Sequence, residues 1–116
     1  MVLDEFLQCV RAGELVGFQD TMAVIAACYR YQPAEFSNGL HQSLLNLAGQ
    51  NEGSCKIFAF AKLHGLTEPQ TLNLFGDYYR LDVLGNLDGK DHQNIRNFMR
   101  DGWAGIVFAD EALQAL

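Results

Sequence analysis

Apolar residues in this chain recur at three- and four-residue intervals, and each run is soon cut by a glycine, a proline or an Asn-Gly pair. Such spacing places the apolar side chains on one face of a helix, and the interruptions keep each helix short. Leu3, Phe6, Leu7 and Val10 form the first stripe, with Gly13 as its stop. A second helix is predicted to open at Asp20, a good N-cap, and to carry Met22, Ile25, Ala26 and Tyr29. It must end before Pro33, because proline disfavours helical geometry in the residue ahead of it. The segment "YQPAEFSNG" reads as a loop with a turn at Asn38-Gly39.

"LHQSLLNLAG" fits two templates. Leu40, Leu44, Leu45 and Leu47 suit a short helix, which is the expectation, while Leu40 to Leu44 also alternate as a strand would. Ser54 is the predicted N-cap of a helix running to about His64, with Gly65 as its left-handed stop and Leu66 folding back. Thr67 and Gln70 bracket a capping box around Pro69, and Leu72, Phe75, Gly76, Tyr79 and Val83 continue that face. After the turn-rich "GNLDGKD", Asp91 is predicted to cap a last clear helix bearing Ile95, Phe98 and Met99 and ended by Gly102. The tail is expected to start extended at Trp103–Phe108 and close as a short helix. The fold expected is mainly α, or α+β with a small β element: one compact domain of several short helices over residues 1–116.

A chain of 116 residues, 49% hydrophobic and 19% charged, can bury a core without metal or disulfide staples. Fourteen acids against eight Lys and Arg give a net charge of −6, which argues against a phosphate-backbone binder. Cys9, Cys28 and Cys55 are odd in number and lack zinc or disulfide spacing, and His41, His64 and His92 are scattered, so neither metal nor cofactor is expected. The longest apolar stretch, "TMAVIAACY", is too short to span a bilayer, and "MVLDEFLQCVRAG" lacks the basic and apolar regions of a signal peptide. The expectation is a soluble chain that is itself the mature protein.

The strings "NEGSCKIFAFAKL", "TLNLFGDYYRLDVL" and "DHQNIRNFMRDGW", in that order, resemble the HopJ family of type III effector proteins. "FQDTMAVIAACYRYQPAEFSNG" fits the same pattern, so the resemblance covers roughly residues 14 to 110. It implies a small bacterial protein, held in the bacterial cytoplasm before a type III apparatus injects it into a host cell. Its partner there would be a host protein. The resemblance carries no reaction and no functional residue.

Two stretches hold the candidate chemistry. Cys55 follows the predicted cap, where free backbone N–H groups and the helix dipole favour a thiolate beside the cationic Lys56. With His92 as base and Asp91 or Asp101 orienting it, the set would be a thiol-enzyme triad. The competing and favoured reading packs Cys55 inward as a small hydrophobe, as free cysteines usually are. "KDHQNIRNFMRDGW" places His92, Arg96 and Arg100 four apart on one helix side, with Gln93 and Asn97 nearby. That line suits a small anionic ligand or an acidic partner patch, or else Arg96 pairs internally with Asp77 or Asp82. Aromatic residues of the second half, Trp103 among them, would wall a pocket there. The candidates for ligand or partner contact are thus His92, Arg96, Arg100, Lys56 and Trp103. Three functions compete: a non-enzymatic effector acting on a host protein, which is the expectation, a thiol-dependent enzyme, and a ligand-binding domain.

Overall fold

The computed structural model describes residues 2–116. Helix α1 (Leu3–Arg11) buries Phe6, Leu7 and Val10, as its spacing predicts, and Gly13 takes φ +80° just beyond it. Helix α2 (Phe18–Cys28) starts earlier than expected. Its N-cap is Gly17, and Asp20 lies three residues inside, where its Oδ2 accepts the Gly17 N–H at 3.1 Å. A carboxylate in the first turn can thus serve a helix start it does not itself occupy. The chain turns extended at Tyr29, well before Pro33.

Five three-residue strands follow among the described residues, and here the periodicity misleads. Strand β1 (Tyr29–Tyr31) pairs antiparallel with β5 (Leu113–Ala115), where a closing helix was expected. Strand β2 (Phe36–Asn38), read as loop, sits between β3 (Leu44–Asn46) and β4 (Ile106–Phe108) in a second antiparallel sheet. The helix expected over Leu40–Leu47 is therefore a turn and a strand, and the extended stretch expected from Trp103 begins only at Ile106. Three residues are too few to show alternation, and β2 is held by β3 on one side and on the other by β4, some seventy positions away. Phe36 stacks on its β4 partner Phe108 at 5.1 Å. Half the chain is helical, so the mainly α class with a small β element stands.

Helix α3 (Glu52–Leu63) runs through the core, with Ile57, Phe58, Phe60 and Ala61 fully buried. Phe58 packs against the rings of Phe36, Phe75, Phe98 and Trp103. The cap is Asn51, in a left-handed conformation, not Ser54. At the far end Gly65 (φ +61°) and the Leu66 N–H bonded to the Ala61 carbonyl close the helix as predicted. Helix α4 (Glu68–Asn73) opens on the predicted capping box of Thr67 and Gln70. Its face does not continue unbroken. Gly76 reverses the chain at φ +62°, and a π-helical segment spans Tyr78–Val83. Helix α5 (Gln93–Asp101) is capped by His92 rather than Asp91, and a 3₁₀ turn (Gly102–Gly105) leads into β4. Asp91 misses the cap because its carboxylate is taken by Arg96 at 2.7 Å.

Candidate functional site

One helical position separates two environments at the start of α3. Cys55 turns into the core, 1% exposed, with Sγ 3.6 Å from the Ala34 carbonyl. Burial pushes its thiol upward, against the lesser pull of the Ala34 hydrogen bond. Ser54 instead lines a cavity of about 440 Å³, together with His92. Cys55 is not part of that lining, so the thiol and the imidazole do not share a cleft. Lys56 leaves in a third direction and lies 4.6 Å from the centre of the Tyr31 ring.

The basic line on α5 is engaged within the protein. Arg96 donates to the Asp91 carboxylate and carbonyl and to the carbonyls of Asn86 and Leu87. It staples the "GNLDGKD" turn to α5, and its partner is Asp91 rather than Asp77 or Asp82. The guanidinium holds the Asp91 carboxyl below its ordinary value. Arg100 forms a two-pronged pair with Asp101 and also donates to the His41 carbonyl, while Asp101 accepts the Leu40 N–H at 2.8 Å. This contact pins the turn between β2 and β3 to α5. Trp103 donates its indole N–H to the Leu66 carbonyl at 3.0 Å and packs on Phe58 and Phe98. Of the sequence candidates, His92 alone faces the cavity. Its Nε2 lies 3.1 Å from Asp82 Oδ2 and 3.9 Å from Asp91 Oδ2, and its ring rests on Tyr78 at 5.3 Å.

Elements distant in sequence close around this histidine. The starts of α3 (Asn51, Gly53, Ser54) and α5 (His92, Gln93, Asn94) line the cavity together with Phe18, Phe75 and Tyr78. Neither helix start has a side-chain cap, and Asn51 and His92 both carry positive φ. A Cβ on Gly53 would come within 3.0 Å of Phe18 Cζ, so glycine lets the ring approach. Phe18 and Tyr78 meet edge to face at 5.0 Å. Both rings also line a second cavity of about 430 Å³, together with Gly17, Gln19, Asp20, Asp77 and Asp82. Carboxylates border the second chamber, the uncapped helix starts border the first, and the aromatic pair belongs to both. Among the described residues no cluster of three His, Cys, Asp or Glu side chains is set to hold a metal ion.

Behind the first chamber the sequence reading missed a cluster of buried amides. Asn46 and Asn94 exchange a reciprocal pair of hydrogen bonds at 3.1 and 2.9 Å. Asn51 donates to Asn46 Oδ1, and Asn38 donates to the Asn94 side chain and carbonyl. Asn97 bonds the Asn38 carbonyl and accepts from Gln93. Asparagine is usually exposed, so this network is an exception that the low interior dielectric makes consequential. One signal was present: Asn94 and Asn97 adjoin Ile95 and Phe98 on the stripe that faces the core.

A solved structure described as "Crystal structure of unknown function protein VPA0580" superposes with a TM-score of 0.94 at 48% identity, covering 100% of this chain and 95% of that one. Comparison with curated proteins found no match. The family model of the HopJ type III effector protein matches residues 3–113. The chain belongs to the HopJ type III effector protein family.

Proposed function

We propose that the chain leaves the bacterial cytoplasm through a type III apparatus and acts in the host cell as a non-enzymatic binding module. It works as one domain over residues 1–116, and its partner is a host protein engaged at the chambers around Phe18 and Tyr78. Family membership supports the export. The observation that carries the binding reading is the placement of His92. It stands in a recognition-type cavity of aromatic walls and amide donors, while the chain's candidate nucleophile, Cys55, is packed away from it. A thiol enzyme built on Cys55, His92 and Asp91 draws no support from a thiol raised by burial, nor from an Asp91 carboxylate paired to Arg96.

The test joins the full chain to a calmodulin-dependent adenylate cyclase reporter in bacteria with an intact or a disabled type III apparatus. Cyclic AMP should rise in host cells only with the intact apparatus. Equal signals from both strains, or none from either, would overturn the export. The host-cell phenotype of the delivered protein should survive Cys55→Ala and be lost in Tyr78→Ala; the reverse pattern would favour the thiol enzyme.

A further inference from the structure

We infer that the carboxylate-lined chamber beside Phe18 and Tyr78 receives an arginine side chain from an extended basic segment of a partner protein. This deepens the binding reading by naming the chemistry of the partner. Charge complementarity is the first ground. Asp20, Asp77 and Asp82 border the chamber within a chain of net charge −6. The Asp77 side chain is 76% exposed, and its nearest cation, Arg80 Nε, lies 3.9 Å away. Arg80 spends its terminal nitrogens on the Val16 carbonyl and on Asn73, so it reaches Asp77 only through this 3.9 Å contact and leaves the hydrogen-bonding capacity of that carboxylate open.

The second ground is the chamber's aromatic side. Tyr78 is 43% exposed and meets Phe18 edge to face, so ring surface and carboxylates border one opening. A guanidinium is planar and weakly hydrated; it stacks on such rings while donating to carboxylates in its own plane, which an ammonium does less well. The arrangement is rigidly based. Gly76 sits so close to the start of α2 that a Cβ there would be 2.5 Å from the Phe18 nitrogen, which fixes the π-helical segment against α2.

The third ground selects a peptide over a free cation. Phe18 and Tyr78 also line the adjoining chamber, where the starts of α3 and α5, which have no side-chain cap, leave backbone N–H groups of the first turn open. An occupant spanning the pair of rings needs a cation for one side and hydrogen-bond acceptors for the other. A peptide bearing arginine has both, in its side chain and its backbone carbonyls.

The experiment titrates the full chain, observed by amide NMR, with the peptide Ac-Gly-Arg-Gly-Arg-Gly-NH₂. The comparators replace both arginines by citrulline, which keeps shape and loses charge, or by lysine. Expected are shifts at Gly17, Phe18, Asp77 and Tyr78, with affinity about tenfold lower for citrulline and severalfold lower for lysine. Asp77→Asn should weaken the arginine peptide about threefold and leave the fold intact, since that carboxylate is exposed. It is the cleanest variant, because Asp20 also holds the start of α2 and Asp82 holds His92. Equal binding of the citrulline peptide, an unchanged affinity in Asp77→Asn, shifts confined to another face, or spermidine binding as tightly as the peptide would each overturn the assignment. None of these outcomes touches export or the host phenotype, so the two proposals fail separately.

Discussion

The amides behind α5 and the carboxylates beside α2 treat polarity in opposite ways. Asn38, Asn46, Asn94 and Asn97 are buried and bond chiefly to one another or to nearby carbonyls, leaving Asn38 Oδ1 as the atom without a partner. Asp77 and Asp82 stand at the surface with one weak or one histidine contact each. A polar group withdrawn from water adds little net stability when paired and costs its full desolvation when a partner is removed. An exposed carboxylate costs almost nothing to change and stays free to meet a ligand. The first region therefore holds the fold together, and the second is the one left free for the recognition proposed above.

The largest expected effect breaks the amide network. Asn94→Leu removes both bonds to Asn46 and one from Asn38, and should lower stability by about 3 kcal/mol. Asp77→Asn should stay within about 0.5 kcal/mol of the parent. Urea unfolding of the two variants measures the contrast directly. Near-equal midpoints would show that the amides contribute no more than the surface acids.

Next comes the junction between α2 and the π-helical segment. Gly76→Ala meets both a positive φ and a 2.5 Å approach to the Phe18 nitrogen, and should cost about 2 kcal/mol. It should also shift the ring-current-sensitive resonances of Phe18 and Tyr78, because Gly76 sets their spacing. A stable variant with those resonances unmoved would mean that the turn does not position the rings.

A smaller effect appears in acid. Arg100 holds the Asp101 carboxyl far below the usual carboxylate range, helped by the Leu40 N–H. The folded state thus releases that proton more readily than the unfolded chain, whose Asp titrates near about 3.9. The stabilisation is fully present above that value and is lost as pH falls through the lower folded one. Urea midpoints measured from pH 5 down to 2 should fall, and Asp101→Asn should flatten that fall. An unchanged slope in the variant would show that other groups govern acid sensitivity.

How legible all this was depends on how local each feature is. The stripes of α1 and α5, the Thr67–Gln70 box and the Gly65 stop depend on neighbours within one or two turns, so the sequence shows them. Strands β1 and β4 depend on partners far along the chain, β5 and β2, and three residues leave no pattern. The caps of α3 and α5 moved to Asn51 and His92 because side chains read as caps had other work or sat inside the helix. At the site, His92 was visible as a titratable residue among basic neighbours. Of its companions, Phe75 and Tyr78 belong to the second-half aromatics expected to wall a pocket there, whereas Phe18 and Asp82 were not visible, because only the Gly76 turn and the π-helical segment bring them to it. Arg96 looks free when only its own helix is considered, because its partners lie in the preceding turn; Arg100 has Asp101 beside it on α5, but the His41 carbonyl that it also holds lies on another segment.

The smallest expected signal is the reactivity of Cys55, and it sharpens the contrast between the two faces of α3. Burial raises the thiol, while a thiolate at an open helix start would be lowered and fast to react. With Cys9 and Cys28 replaced by alanine, timed alkylation from pH 5 to 9 isolates this one group. Labelling of the native protein should be slower than that of the urea-unfolded chain by about a hundredfold or more, because the reagent must await local opening. Ser54→Cys, in the chain that also carries Cys55→Ala, moves the thiol by one residue into the cavity beside His92. That variant should label at close to the unfolded rate. If Cys55 labels fast near pH 6 and slows when His92 becomes alanine, the thiol and the imidazole meet in solution, and the two faces of α3 are one site.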